Sequence, residues 1–344
     1  MRIGWFVPAP FTTVSGGYNY DRAIVAGLRD AGHDVVVHEL AGRHPLPDAA
    51  AQASAIAAWQ ASPPDALPVI DGIALPAFAP VAEQLGARGA IGLIHHPAAL
   101  DPNYDAAART ALRAYETQLL PQLVRVVATS GGTAEQLATT FGVHRERLAV
   151  VMPGTADAPR SEGSGGPGCA ILSVGALAPV KGHDVLLRAL ALLPDLRWRL
   201  TIAGSARDAD YARSLAALAE TLGIAAAVTF AGEVTDDVLA ALWRRTDVFA
   251  LATRFEGFGM AIAEALKRGV VVAITDGGAA ASLLTPETGV VAPVDDAPAL
   301  ARALRRLIFD TSLRAGMRDA AFAAGRHLPD WPGQVRAFAA VLAG

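Results

Sequence analysis

Cysteine is almost absent: Cys169 stands alone among 344 residues, so no internal disulfide and no thiolate metal cluster can form. Charge is scarce as well, with 18% Asp, Glu, Lys and Arg against 52% hydrophobic residues; that balance excludes a disordered chain and calls for well-buried elements. No apolar run approaches the roughly 20 residues of a membrane span. The opening Met1-Arg-Ile-Gly-Trp-Phe-Val7 is too short for a signal peptide and runs into Pro8, so it reads as a first strand. A cytoplasmic location is expected. Of 29 cationic side chains only Lys181 and Lys267 are lysines, the formal net charge is −4, and residues 1–153 hold 10 Arg against 13 Asp plus Glu. There is no basic face for nucleic acid, which is not expected as a partner. Arg109 and Arg113 make one small patch, so peripheral membrane contact stays open without support.

What is present is a regular alternation of strand and helix signals, the mark of parallel sheets with crossover helices. The first half reads as strands over 3–7, 34–40, 67–70, 90–96, 124–129 and 148–152, with helices over 17–31, 49–60, 77–85, 105–120 and 133–141. Residues 154–168 turn rich in Pro, Gly and Ser and read as a flexible interdomain linker. A second unit follows over 169–328, and 329–344 reads as a last helix led by Trp331 that crosses back to the first domain, 1–153. The expectation is an α/β chain of two doubly wound Rossmann-like domains, facing each other across a cleft at the carboxyl ends of their strands. The unusual loops fall at such ends: 12–17, His95-His96-Pro97, 175–182 and 256–259.

The richest of these is Arg254-Phe-Glu-Gly-Phe-Gly-Met-Ala-Ile-Ala-Glu-Ala265, which follows an apolar strand and leads into an Ala-rich helix. A helix start leaves N–H groups without partners and carries the positive end of the helix dipole, so it attracts phosphate. Glu256 is placed just before that helix and Glu264 more than two turns along it, where they would address different parts of one extended anionic ligand.

With this motif, the segment Ser173-Val-Gly-Ala-Leu-Ala-Pro-Val-Lys-Gly-His-Asp-Val-Leu-Leu-Arg-Ala-Leu190 and the turn Ser15-Gly16-Gly17, the whole chain resembles the GT-B glycosyltransferases of family four, retaining enzymes that use nucleotide sugars. The resemblance implies that Glu256 binds hydroxyls of the donor sugar and Glu264 the ribose. It implies that the backbone of Phe258, Gly259 and Met260 binds sugar and diphosphate, and that Lys181 neutralises the diphosphate as it leaves. Gly16 and Gly17 would meet the donor phosphate, Glu233 and Val234 would hold the base through their backbone, and His95 would contact the donor sugar. His96 stays open as the alternative to His95, because one sequence does not fix the register of the pair. The expected catalytic residues are Glu256, Lys181 and His95.

The implied reaction moves a sugar from a nucleoside diphosphate sugar, such as a UDP- or GDP-sugar, to an acceptor hydroxyl with retention, by same-face attack. No cofactor besides the donor substrate and no metal is expected: no Asp-x-Asp is presented for a cation and no His-Glu-x-x-His occurs. The acceptor, a lipid, glycan or small molecule, is left open, as are the base and sugar. Several positions depart from the family pattern. Ala176 stands where the family has a phosphate-binding arginine, leaving Lys181 alone or helped by Arg254. Gly269-Val-Val-Val-Ala273 and the stretch around Ala281-Ser282 also differ. An epimerase or phosphorylase of the same architecture, or a degenerate domain that binds a nucleotide sugar without turnover, are the alternatives. An NAD enzyme is disfavoured, since Ser15-Gly16-Gly17 lacks the G-x-G-x-x-G spacing.

Overall fold

The computed structural model describes all 344 residues, which divide by their contacts into one unit of residues 1–154 with 329–344 and another of residues 155–328. In the first unit β1 (Arg2–Pro8), α1 (Gly16–Asp30), β2 (Asp34–Leu40), α2 (Ala49–Ala61) and β3 (Leu67–Asp71) are followed by α3 (Ala82–Ala87) and β4 (Ile91–Ile94). Then come α4 (Ala106–Leu119), β5 (Arg125–Ala128), α5 (Gly131–Phe141) and β6 (Leu148–Val150). The helix expected over 77–85 is in two parts, a 3-10 stretch Leu75–Val81 and then α3. Pro76 and Pro80 explain this, because each lacks an N–H and crowds the preceding turn.

The second unit runs β7 (Cys169–Val174), α6 (His183–Ala191), β8 (Trp198–Ala203), α7 (Ala209–Thr221), β9 (Val228–Gly232), α8 (Asp236–Arg244) and β10 (Val248–Leu251). It closes with α9 (Met260–Lys267), β11 (Val271–Thr275), β12 (Gly289–Ala292), α10 (Ala297–Phe309) and α11 (Thr311–Gly325). The last helix, α12 (Trp331–Ala343), belongs to the first unit. There Phe338 lies 5.5 Å from Trp5 ring to ring, and Gly27 on α1 leaves room for Val335, whose methyl would sit 2.3 Å from any Cβ at that position.

Both sheets have six strands, and every pairing in them is parallel. The orders are β2-β1-β3-β4-β5-β6 and β12-β11-β10-β7-β8-β9. A parallel sheet covered on both faces needs apolar residues on both. Along β1, Ile3, Trp5 and Val7 enter one core and Phe6 the other; along β10, Val248 and Ala250 enter one and Phe249 and Leu251 the other. The strand order reverses between β1 and β3 in the first sheet and between β7 and β10 in the second. Loops leaving the carboxyl ends at such a reversal form the crevice where folds of this kind bind ligands.

The expected linker has no helix or strand before Cys169, yet it is tied along the second unit. Ser161 donates its N–H to the Arg268 carbonyl (2.8 Å) and its hydroxyl to the Thr246 carbonyl (2.7 Å). Lys267, itself buried, bonds Asp157 at 2.8 Å. No helix is long and apolar enough to cross a membrane.

Candidate active site

In the second unit the reversal brings together two residues far apart in sequence. Lys181 ends the short 3-10 turn after β7, and Glu256 lies in the loop after β10; the ammonium and Glu256 Oε1 form an ion pair with both side chains largely buried. Gly182, at φ +61, makes the Lys181 turn possible: a Cβ there would lie 1.9 Å from the Ala252 carbonyl oxygen. The Glu256 backbone is pinned to the loop after β11. Its N–H donates to the Gly277 carbonyl (3.1 Å), its carbonyl accepts from Ala279 N–H (2.7 Å), and Gly278 passes so close that a Cβ would meet the Glu256 oxygen at 2.3 Å.

Beyond Glu256, Phe258 and Gly259 are buried and Met260 half-buried. Gly259, in the left-handed region at φ +96, starts α9 with no side-chain cap. Its first N–H groups are thus left for a ligand, and the dipole favours a negative one. Glu264 lies on the second turn of α9 and not more than two turns along it, because the helix begins only at Met260; burial raises its carboxyl pKa, an effect opposed by Arg268 and by the Trp243 indole beside it. Glu233 is exposed and Val234 half-buried between β9 and α8. Ala176 lies in the loop after β7, and Arg254 does not act as its substitute: the guanidinium is held by Asp184 (3.1 and 3.2 Å), by Asp295 (2.7 Å) and by the Pro179 carbonyl. Tyr211 donates to Asp184 at 2.7 Å. Arg254 is therefore a brace between the two loops, already matched by carboxylates.

In the first unit Ser15 caps α1, accepting from Tyr18 N–H at 3.3 Å, with Gly16 exposed and Gly17 half-buried behind it. A Cβ on Gly17 would reach His95 Cδ2 at 3.1 Å, so the glycine and the histidine are neighbours. His95 follows β4; its Nε2 lies 3.0 Å from Asp21 Oδ1 and 3.5 Å from Asp71 Oδ2, and both carboxylates are buried. Burial works against a charged imidazole, but the two carboxylates outweigh it and raise the His95 pKa well above its usual range. His96 turns to a different partner, Asp101 at 3.4 Å.

Asp21 and Asp71 escaped sequence reasoning, though each left a trace. Asp21 falls on the buried face of α1 with Ile24, Val25 and Leu28, and Asp71 ends an apolar strand. Asp21, Asp71 and His95 also form a set with the makeup to hold a metal ion, all within 4.8 Å of one another. The 3.0 Å contact is the length of a charge-assisted hydrogen bond. Glu116, equally unforeseen, grips the backbone just after His96, accepting from Ala98 N–H (2.6 Å) and Ala99 N–H (3.1 Å). A concavity of about 770 Å³ lies at the amino ends of β7 and β8, lined by Cys169, Trp198 and Leu222 among others; none of the candidate residues borders it.

Fold and sheet order together define an α/β protein of GT-B architecture. A sucrose-phosphate synthase from Thermosynechococcus elongatus has the same fold, with a TM-score of 0.84 at 18% identity over 98% of both chains. So has Anabaena HepE, solved in complex with UDP and glucose, at 0.81 and 20% identity over 100% of both chains. The sequence comparison narrows this: residues 157–323, which carry Lys181, Glu256 and Glu264, match the model of the family described as glycosyl transferases group 1. A D-inositol 3-phosphate glycosyltransferase of Acidothermus cellulolyticus is 33% identical over 219 residues, 58% of this chain and 49% of that protein. The chain spans about half the length of such curated relatives.

Proposed function

We propose that the protein is a retaining glycosyltransferase that moves a sugar from a nucleoside diphosphate sugar to an acceptor hydroxyl without a metal ion. One observation carries the reading: Lys181 and Glu256 meet at the strand-order reversal of the second sheet, beside the uncapped start of α9 and within the stretch similar to glycosyl transferases group 1. Lys181 and the α9 N–H groups supply positive charge where a diphosphate would leave, and charge preorganised in this way commonly does more than any other factor to lower a reaction barrier. Glu256 takes sugar hydroxyls and Glu264 the ribose, with the base at Glu233 and Val234. Gly16, Gly17 and His95 are taken as donor contacts from the family resemblance alone, and substitution at each tests them. UDP is the first nucleotide to try, because HepE was solved with it.

The test is a thermal-shift panel of UDP-, GDP- and ADP-sugars, in which the true donor raises the melting temperature. Product analysis follows: inversion at the anomeric carbon rejects the retaining mechanism, and loss of turnover in EDTA rejects metal independence. A second reading, donor binding without turnover, draws on Ala176 together with the full engagement of Arg254 by Asp184 and Asp295. Equal donor consumption by wild type and Glu256→Ala would favour it.

A further inference from the structure

Asp21, Asp71 and His95 come from three elements of the first unit, α1, the end of β3 and the loop after β4, and they meet at one ring nitrogen. Asp21 Oδ1 stands 3.0 Å and Asp71 Oδ2 3.5 Å from His95 Nε2, and the three ligand atoms lie within 4.8 Å of one another. A single Nε2–H points along one line and serves one of the two oxygens well. An ion between the three serves all of them. Ligands about 2.0–2.2 Å from zinc stand roughly 3.3–3.5 Å apart on a tetrahedron, close to the two contacts to Nε2.

Charge points the same way. Both carboxylates are buried, and His95 is the only group that forms an ion pair with either. One imidazolium against two carboxylates leaves a net charge of −1, whereas a dication with a neutral imidazole brings the cluster to zero, and buried charge is costly unless matched. Asp21 is fully buried, and its Oδ2 makes no hydrogen bond; the Trp5 indole N–H that approaches this carboxylate is itself unpaired. Asp71 is held differently: its Oδ1 accepts from Ile73 N–H at 2.6 Å, which fixes the carboxylate with Oδ2 toward Nε2. The edge-on Tyr20 ring, 5.3 Å between centroids, sets the plane of the imidazole.

We propose that these three side chains form a binding site for one transition-metal dication, zinc the first to try, held by one oxygen from each aspartate and by Nε2 of His95. Imidazole together with carboxylates suits zinc and its neighbours, whereas magnesium and calcium ask for roughly six to eight oxygens. Three protein ligands leave a position for water, and the 16% exposure of the His95 side chain gives access to it. On binding, Nε2 gives its lone pair to the ion, and the proton it carried goes to Nδ1 or to solvent. The ion ties α1, the end of β3 and the loop after β4 to one another. The proposal is separate from the transfer reading, which routes no step through a metal.

The test uses the whole chain, stripped with EDTA and freed of the chelator, with Zn²⁺ as the probe in equilibrium dialysis and thermal shift. The expected result is one zinc per chain and a melting temperature raised on the order of 5 °C when free zinc stands about a hundredfold above Kd. Asp21→Asn, Asp71→Asn and His95→Gln should each weaken uptake by about 100-fold, while His144→Asn, which removes an exposed histidine, leaves it unchanged. Cobalt(II) in place of zinc should give visible d–d bands that His95→Gln abolishes. If Asp21→Asn fails to fold, Asp71→Asn and His95→Gln decide. A lack of stoichiometric uptake overturns the site. So does uptake that survives both Asp71→Asn and His95→Gln, or that His144→Asn removes, since either result puts the ion elsewhere.

Discussion

Lys181 and Glu256 stand 75 positions apart in the chain and bond each other where two loops leave one sheet. Each neutralises the other; in the proposed transfer reaction a bound donor divides them, the diphosphate taking the ammonium and the sugar hydroxyls the carboxylate. Lys181→Met and Glu256→Gln should therefore each slow donor consumption by about 10²- to 10³-fold. The double variant should be little worse than the poorer single one, because residues that act as a unit are not additive. Nucleotide release at saturating donor measures this, and full additivity would count against a shared role.

Gly17 and Gly182 should respond differently to the same methyl. Gly17 is helical and its Cβ would stand 3.1 Å from His95 Cδ2, tighter than ordinary contact, so the ring must give by a few tenths of an ångström; the helix propensity of alanine offsets this, and Gly17→Ala should leave the melting temperature within about 2 °C. It should still cost tenfold or more in donor turnover if backbone and ligand must approach there. In Gly182→Ala the left-handed φ and the Ala252 carbonyl leave no room, and a fall of several degrees in melting temperature is expected, on the order of 1–3 kcal/mol.

Much of the fold was legible because both sheets are parallel and buried: each strand is a short apolar run, and its helices follow in strict alternation. The placement of Lys181 and Glu256 in loops at the carboxyl ends of β7 and β10 was legible because each loop follows directly on a short apolar strand. Asp21 and Asp71 were not. A single aspartate on an apolar helix face looks like a tolerated exception until the fold brings His95, 74 residues away, to meet it. Arg254 was misjudged for the same reason, since Asp184 is 70 residues distant and nothing local announces the bond. The linker's composition pointed to freedom, whereas its Ser161 and Asp157 are fixed by residues 85 and 110 positions later.

Acid should expose the Arg254 brace. Burial alone would raise the Asp184 pKa, but bonds from Arg254, Tyr211 and Arg188 lower it to about 2. A depressed carboxylate contributes stability that is complete above its unfolded value, near 3.9, and lost as pH falls toward 2. The stability difference between wild type and Arg254→Met should accordingly shrink between pH 5 and pH 2.5 in urea unfolding. A difference independent of pH would show that the brace acts by packing alone.

Glu116 has the opposite sign. Burial lifts its pKa to about 7 in spite of the bonds from Ala99 and Ala98. The native state then holds the proton more tightly than the unfolded chain, so the stability contributed by this site is complete below about 4.5 and is lost as pH rises through 7. Glu116→Gln should flatten the change in melting temperature between pH 5 and pH 8. An unchanged slope would assign that dependence to another group.

The return of α12 to the first unit bears on the order in which the protein can be completed during synthesis. Val335, Phe338 and Leu342 fill the same core as Ile3, Trp5 and Val7, yet residues 155–328 are translated between them. At roughly 5–20 residues per second, the ribosome adds the missing helix about 10 to 35 s after the rest of that core has emerged. For that interval one face of β1 and α1 lacks its cover, and the unit made first is the one finished last.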